Sequence, residues 1–169
     1  MQSIRKDIGQ FHEHLRSGSI QKAYKALLSY MMALRTHFKN KRPNDSVSGL
    51  YQGYLDMTYF ALVSPALKNH GLKIAIVFSY GAFRFEAWLA GTNRQIQRKY
   101  WELVKNSRWT DYRVVAPAKG VDSILECTLA ENFDLSNPDS LTESIDEKAG
   151  KFIHDVEAFL CRQKTPDRA

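Results

Sequence analysis

The stretch Leu72-Lys73-Ile74-Ala75-Ile76-Val77-Phe78-Ser79-Tyr80-Gly81-Ala82-Phe83-Arg84-Phe85-Glu86-Ala87-Trp88-Leu89 decides the fold. Its first eight residues form an almost unbroken apolar run rich in β-branched side chains, which predicts a central strand covered on both faces. Tyr80-Gly81 is a tight-turn signal. From Phe83 the period falls to two, with Phe83, Phe85, Ala87 and Leu89 alternating with Arg84, Glu86 and Trp88. A hairpin follows.

Upstream, Leu55, Met57, Tyr59 and Ala61 alternate with Asp56, Thr58 and Phe60, which predicts a third strand. Pro65 and the cluster Lys68-Asn69-His70-Gly71 end it. Before it, Asn40 to Gly49 is polar, holds Pro43 and reads as a loop. Two helices precede the loop. Over residues 2–16, Ile4, Ile8, Phe11 and Leu15 recur at intervals of three or four. From Ser19, read as the N-cap, a second helix to about Asn40 lines up Ile20, Tyr24, Leu27, Leu28, Met31, Leu34 and Phe38 as a core-facing stripe.

Downstream, Gly91 stops the hairpin, and Thr92 or Asn93 caps a helix to about Ser107 with Ile96, Tyr100, Leu103 and Val104 buried. Tyr112 to Ala116 reads as a short strand closed by Pro117 and Gly120. The segment through Leu129 is better read as strand than helix, since strand spacing puts Leu125, Cys127 and Leu129 on one face. Asn132 to Asp139 is loop. Ser140 and Glu143 form an S-x-x-E capping box for a last helix, over 140–162, whose face holds Ile145, Ala149, Phe152, Val156 and Phe159. The chain beyond Arg162 reads as a frayed end.

The order ααβββαββα predicts an α+β fold: one antiparallel sheet of about five strands, with helices mainly on one face. The 169 residues, 44% hydrophobic, suit one domain made of N-terminal helices (1–40), a sheet with an inserted helix (50–131) and a C-terminal helix (140–162). No apolar run approaches the roughly 18–20 residues of a membrane span, and no secretory signal begins the chain, so the expectation is a soluble cytoplasmic protein. Cys127 and Cys161 lack CxxC spacing and read as small buried hydrophobes.

The net charge of +6 is uneven. Residues 1–109 hold 17 Lys and Arg against 6 Asp and Glu, whereas residues 110–169 hold 7 against 12. Such asymmetry points either to an anionic partner or to internal pairing of a basic N-terminal half with an acidic C-terminal helix.

Alternation puts Arg84, Glu86 and Trp88 on one face of their strand, and Asp56 and Thr58 are expected on the same sheet face two strands away. A guanidinium, carboxylates and an indole together read as a ligand pocket, with Arg84 taking an anion and Glu86 or Asp56 handling a proton. The alternative is cross-strand ion pairing on a partly exposed face. A metal-dependent nuclease core needs a Glu-x-Lys strand, but Ala87 and Trp88 follow Glu86, so no metal set is assigned.

Two basic clusters stand out. Arg94, Arg98 and Lys105 share a helix stripe, with Lys99, Tyr100 and Trp101 beside them, a pattern suited to phosphates and stacked bases and equally to a solvated helix face. Arg35 and Lys39, with Lys41 and Arg42, end the second helix, where cations also complement the helix dipole. The five histidines show no HExxH spacing, and no GxGxxG, P-loop or GxSxG motif occurs, so no cofactor is expected and no histidine is assigned to catalysis.

The segments Tyr30 to Lys39, Gly53 to Phe60, Leu72 to Phe78, Arg84-Phe85-Glu86 and Lys99-Tyr100-Trp101 together resemble a family of small uncharacterised bacterial proteins, a domain of unknown function. The resemblance covers most of the chain. It implies a bacterial cytoplasmic origin and one self-contained domain, and it brings no activity. The function expected is a binding or interaction module, taking an anionic ligand or a protein partner on the polar sheet face or along a strand edge. The alternative is an enzyme or nucleic-acid-processing protein using Asp56, Arg84 and Glu86. A dimeric structural protein is a third class, recognisable by an apolar helix face left uncovered.

Overall fold

The computed structural model describes residues 2–163. The expected fraying after Arg162 concerns residues that lie, from 164 on, outside the described ones. The chain runs α1 (Gln2–Arg16), α2 (Ser19–Lys41), β1 (Ser46–Val47), β2 (Met57–Val63), α3 (Pro65–Asn69), β3 (Leu72–Ser79), β4 (Arg84–Gly91), α4 (Arg94–Lys105), β5 (Arg113–Val114), β6 (Ser123–Ala130) and α5 (Pro138–Arg162). All strands pair antiparallel in one sheet of order β1-β2-β3-β4-β6-β5. The fold is α+β, as the sequence implies.

The hairpin β3–β4 is the centre of the sheet, and its register sets everything else. Phe78 faces Phe85, Ile76 faces Ala87 and Ile74 faces Leu89 across the pair, while Thr58, Phe60 and Leu62 of β2 join the same layer beside Phe78, Ile76 and Ile74. These side chains form one core with Leu27, Met31, Leu34 and Phe38 of α2, Leu67 of α3, Tyr100 and Val104 of α4, and Ile145, Phe152 and Val156 of α5. Helices therefore cover one face of the sheet. Hydrogen bonds pin the layers together: Ser64 Oγ donates to Glu157 at 2.6 Å, His70 Nδ1 pairs with the Tyr100 hydroxyl at 2.6 Å, and the Tyr30 and Thr142 hydroxyls meet at 3.1 Å.

Several local expectations change. The 40–49 loop contains β1, a two-residue strand too short to leave a periodic signal, and the Arg35 Nε–H donates to the Ser48 carbonyl beside it. Where Pro65 was expected only to end a strand, it opens the short α3, because Ser64 caps that turn by accepting the Leu67 N–H at 3.3 Å. Residue 18, a left-handed glycine, precedes α2 in place of the expected Ser19 cap. The Ser140 capping box does not form: Asn137 caps α5, accepting the Ser140 N–H at 3.3 Å, and Pro138 takes the first turn, where its missing N–H costs nothing. In α4, Asn93 is the cap and Gln97 is buried, its amide donating to the carbonyls of Val121 and Ser123, while Ile96 and Leu103 are only half-buried.

Three apolar expectations also change. Ile20 is exposed and Tyr24 half-buried, both ahead of Leu27, the first buried residue of α2, and Leu28 is half-buried beside it. Cys161 is exposed and Cys127 half-buried, so neither is a fully buried hydrophobe. Along α1, Ile4, Ile8 and Phe11 remain 60%, 62% and 54% exposed. Among the described residues no helix is long and apolar enough to cross a membrane.

Candidate functional site on the open sheet face

Opposite the helical layer the sheet presents a second set of side chains. The odd residues of β2 and β3 share this open face with the even residues of β4, because Tyr59 pairs with Val77 and Val77 with Glu86, while Ala61 pairs with Ala75 and Ala75 with Trp88. Arg84, Glu86 and Trp88 therefore lie side by side, as alternation requires. Thr58 does not join them. It pairs with Phe78, which pairs with Phe85, so it lies on the helical side, fully buried, its hydroxyl 3.1 Å from that of Tyr80.

Glu86 organises the cluster. It is 4% exposed, and each carboxylate oxygen holds one donor: Arg84 Nε–H at 2.6 Å on Oε1 and Trp88 Nε1–H at 2.8 Å on Oε2. A buried carboxylate is tolerated only when so paired. The consequence is mechanical, since one acid locks both the guanidinium and the indole in place while Arg84 keeps its terminal N–H groups and a half-exposed side chain. Beside Trp88, a shallow recess of about 40 Å³ has a floor of Ala75, Val77 and Ala90 and walls of Met57, Tyr59 and Trp88, with Lys73 and Asp122 at its rim. The Tyr59 and Tyr51 rings meet tilted by 38° with centroids 5.0 Å apart, and burial raises the Tyr59 hydroxyl pKa above its ordinary value, with smaller contributions from Tyr51 and Asp122.

Asp56 stands apart from this cluster. Its Oδ1 accepts the backbone N–H groups of Met57 at 2.7 Å and Tyr54 at 2.9 Å, closing the turn in which Gly53 and Leu55 both take positive φ. Those two bonds hold its pKa below the ordinary carboxylate value. No hydrogen bond or ion pair among the described residues joins Asp56 to Arg84 or Glu86. The three groups expected to converge for proton transfer are thus two in contact and one committed to a turn.

The basic residues divide between two helices that pack at different parts of the sheet, α2 against β1 and β2, α4 against β4, β5 and β6. On α4, Arg94 is engaged with Gln97 Oε1 at 2.7 Å, Asp122 at 3.2 Å and the Val121 carbonyl, and Lys105 lies over the Trp101 ring at 4.7 Å. Arg98 and Lys39 are exposed, and among the described residues neither forms an ion pair. Part of the charge asymmetry is internal: Lys41 of α2 reaches Asp146 of α5, and His37 Nε2 lies 3.4 Å from the same carboxylate without hydrogen-bond geometry.

Tyr59, Lys73 and the small residues Ala75 and Ala90 were not singled out from the sequence. Their signal was the opposite phase of the same alternation, and reading it needed the strand register. At the two edges of the sheet β1 and β5 are each two residues long, and β5 pairs β6 only at Leu125 and Glu126.

The family model described as Domain of unknown function (DUF7000) matches residues 4–160, and the chain belongs to that family. No curated protein and no solved structure matches it.

Proposed function

We propose that this member of the DUF7000 family is a non-catalytic partner-binding module whose open sheet face receives a protein surface carrying a carboxylate. The observation that carries the proposal is the Arg84–Glu86–Trp88 cluster, in which a buried acid pre-sets an arginine and a tryptophan beside a recess that, among the described residues, no helix lines. Trp, Tyr and Arg dominate the energetics of protein interfaces, and ordering them beforehand lowers the cost of binding. Depth favours a protein over a small molecule. Small-molecule pockets measure about 300–1,000 Å³, whereas the recess beside Trp88 holds about 40 Å³ and suits one inserted side chain on a flat contact. Arg84 supplies the cation for the partner's carboxylate, while Lys73, six residues along β3 from the Ser79 that pairs with Arg84, lies about 20 Å away and offers a separate charge.

An acid–base role for Glu86 and Asp56 has less support, since both carboxylates are spent on internal donors. The proposal treats the chain as one domain because α2 and α5, near its two ends, enter one core. A bacterial cytoplasmic setting belongs to the same proposal on the family resemblance alone.

Quantitative affinity capture with the full chain tests the proposal, comparing wild type with Arg84→Glu, Trp88→Ala and the control Lys68→Glu on the exposed part of α3. A protein retained by wild type and control and depleted about tenfold or more, some 1.4 kcal/mol, by both site variants is the expected result. Retention unaffected by either variant refutes it. Saturable quenching of tryptophan fluorescence by dicarboxylates or nucleoside monophosphates, abolished in Arg84→Glu, would replace the protein partner with a small anion.

A further inference from the structure

We infer that the chain forms a two-fold homodimer through α1, whose apolar stripe packs antiparallel against the same stripe of a second copy. The stripe is Ile4, Ile8, Phe11 and Leu15, spaced by four, three and four residues, which is the seam spacing of paired helices. The first three are more than half exposed and Leu15 is half-buried. α1 packs against α2 at their junction, where Gln21 Nε2–H donates to the Leu15 carbonyl at 2.9 Å and Leu15 is partly covered, while Ile4, Ile8 and Phe11 stay more than half exposed among the described residues. A 15-residue helix with a glycine at its centre, Gly9, is marginal in water without a packed face. Something must cover it.

A second copy is the occupant for which the pattern is self-complementary. Reversed and placed face to face, Ile8 meets Phe11 of the second copy and Ile4 meets Leu15 of the second copy, so all four side chains find apolar partners at once. On one flank Asp7 then meets His14 of the second copy, and on the other Arg5 meets His12, so no carboxylates face each other. Antiparallel pairing also sends the two globular bodies to opposite ends of a helix pair about 22 Å long, whereas parallel pairing crowds both beyond the Gly18 turn.

The end of the stripe continues into a groove of about 380 Å³ lined by Phe11, Leu15, Ile20, Tyr24, Tyr54 and Leu55, which receives Ile4 of the second copy. Tyr54 at its rim is 93% exposed. The exposed apolar area of stripe and groove is on the order of 700 Å² per copy, so the pair can bury at most about 1,400 Å² in total, against the roughly 1,200–2,000 Å² total of specific interfaces. An anionic membrane is the other surface an amphipathic helix fits, but Asp7 on the flank of the stripe disfavours it.

Sedimentation velocity of the full chain from low to high micromolar concentration tests the inference. Wild type is expected to move from 19.4 kDa to twice that mass, and Ile8→Glu is expected to weaken association by about a hundredfold or more. Unchanged circular dichroism of Ile8→Glu separates this from misfolding, since α1 lies outside the sheet core. In a Cys161→Ser background, mixed Ile8→Cys and Phe11→Cys chains should form the hetero-disulfide in preference to either homo-disulfide. A monomer at every concentration, a dimer unaffected by Ile8→Glu, or preferred homo-disulfides would each overturn the inference. So would a monomer that co-sediments with phosphatidylserine vesicles and loses them on Ile8→Glu, which would assign α1 to a lipid surface.

Discussion

Glu86→Gln keeps the size of the side chain and removes its charge, which makes it a clean test of the cluster on the open face. In the native protein one buried carboxylate accepts Arg84 Nε–H at 2.6 Å and Trp88 Nε1–H at 2.8 Å. A glutamine has one acceptor oxygen, so one donor is kept and the other meets an NH₂ group. The charge-assisted bond to Arg84 is worth about 1.5–3 kcal/mol and an unsatisfied buried donor costs about 1–3 kcal/mol. Both Arg84 and Trp88 are only half-buried, so water relieves part of the second cost, and the net loss should be about 2 kcal/mol. For a chain of this size that lowers Tm by roughly 4–8 °C. Urea unfolding followed by far-ultraviolet circular dichroism, which does not depend on Trp88 emission, measures it. A double-mutant cycle with Arg84→Met should then return a coupling of about 1–2 kcal/mol. A loss below about 0.5 kcal/mol, the scale of an ordinary surface substitution, together with zero coupling, would refute the idea that Glu86 holds the arginine and the indole in place.

Two further outcomes follow from the geometry. Gly53→Ala puts a Cβ onto the Met57 carbonyl oxygen and the Asp56 carboxylate at a φ of +54°, so it should cost about 1–3 kcal/mol in thermal unfolding, and a neutral result would show that the 53–56 turn is not constrained as described. Tyr112 is pushed up to about 12, first by desolvation and then by the Asp155 carboxylate to which its hydroxyl donates at 2.6 Å. A raised folded pKa means its contribution is complete below the ordinary value of 10 and is lost as pH climbs towards 12. Tyr112→Phe should therefore flatten the fall of the urea midpoint across that alkaline window, and an unchanged slope would remove Tyr112 as its cause.

The legibility of the site follows the range of the forces involved. Arg84, Glu86 and Trp88 share a face because alternation within one strand is a property of the backbone pleat, and that shared face was readable from the sequence, whereas the hydrogen bonds that join them came from the structure. Thr58 belongs to the same kind of pattern two strands away, yet it sits with the core. Its face depends on how β2 registers against β3 and β3 against β4, which neither strand encodes alone. Asp56 fell outside the cluster for a local reason, since two backbone N–H groups of its own turn claim its carboxylate.

By itself the sequence determined the α+β class, the central hairpin, the four long helices and the amphipathic stripe of α1, all of which rest on period and turn residues within a few positions. Only the tertiary structure decided which stripe is buried and which is left bare, and which parity of each strand faces the helices. Those outcomes depend on distant segments meeting. α1 and α2 both carry apolar faces, but α2 finds the sheet beneath its later turns while α1 runs past it, and no local pattern distinguishes a face that has a partner from one that still needs one.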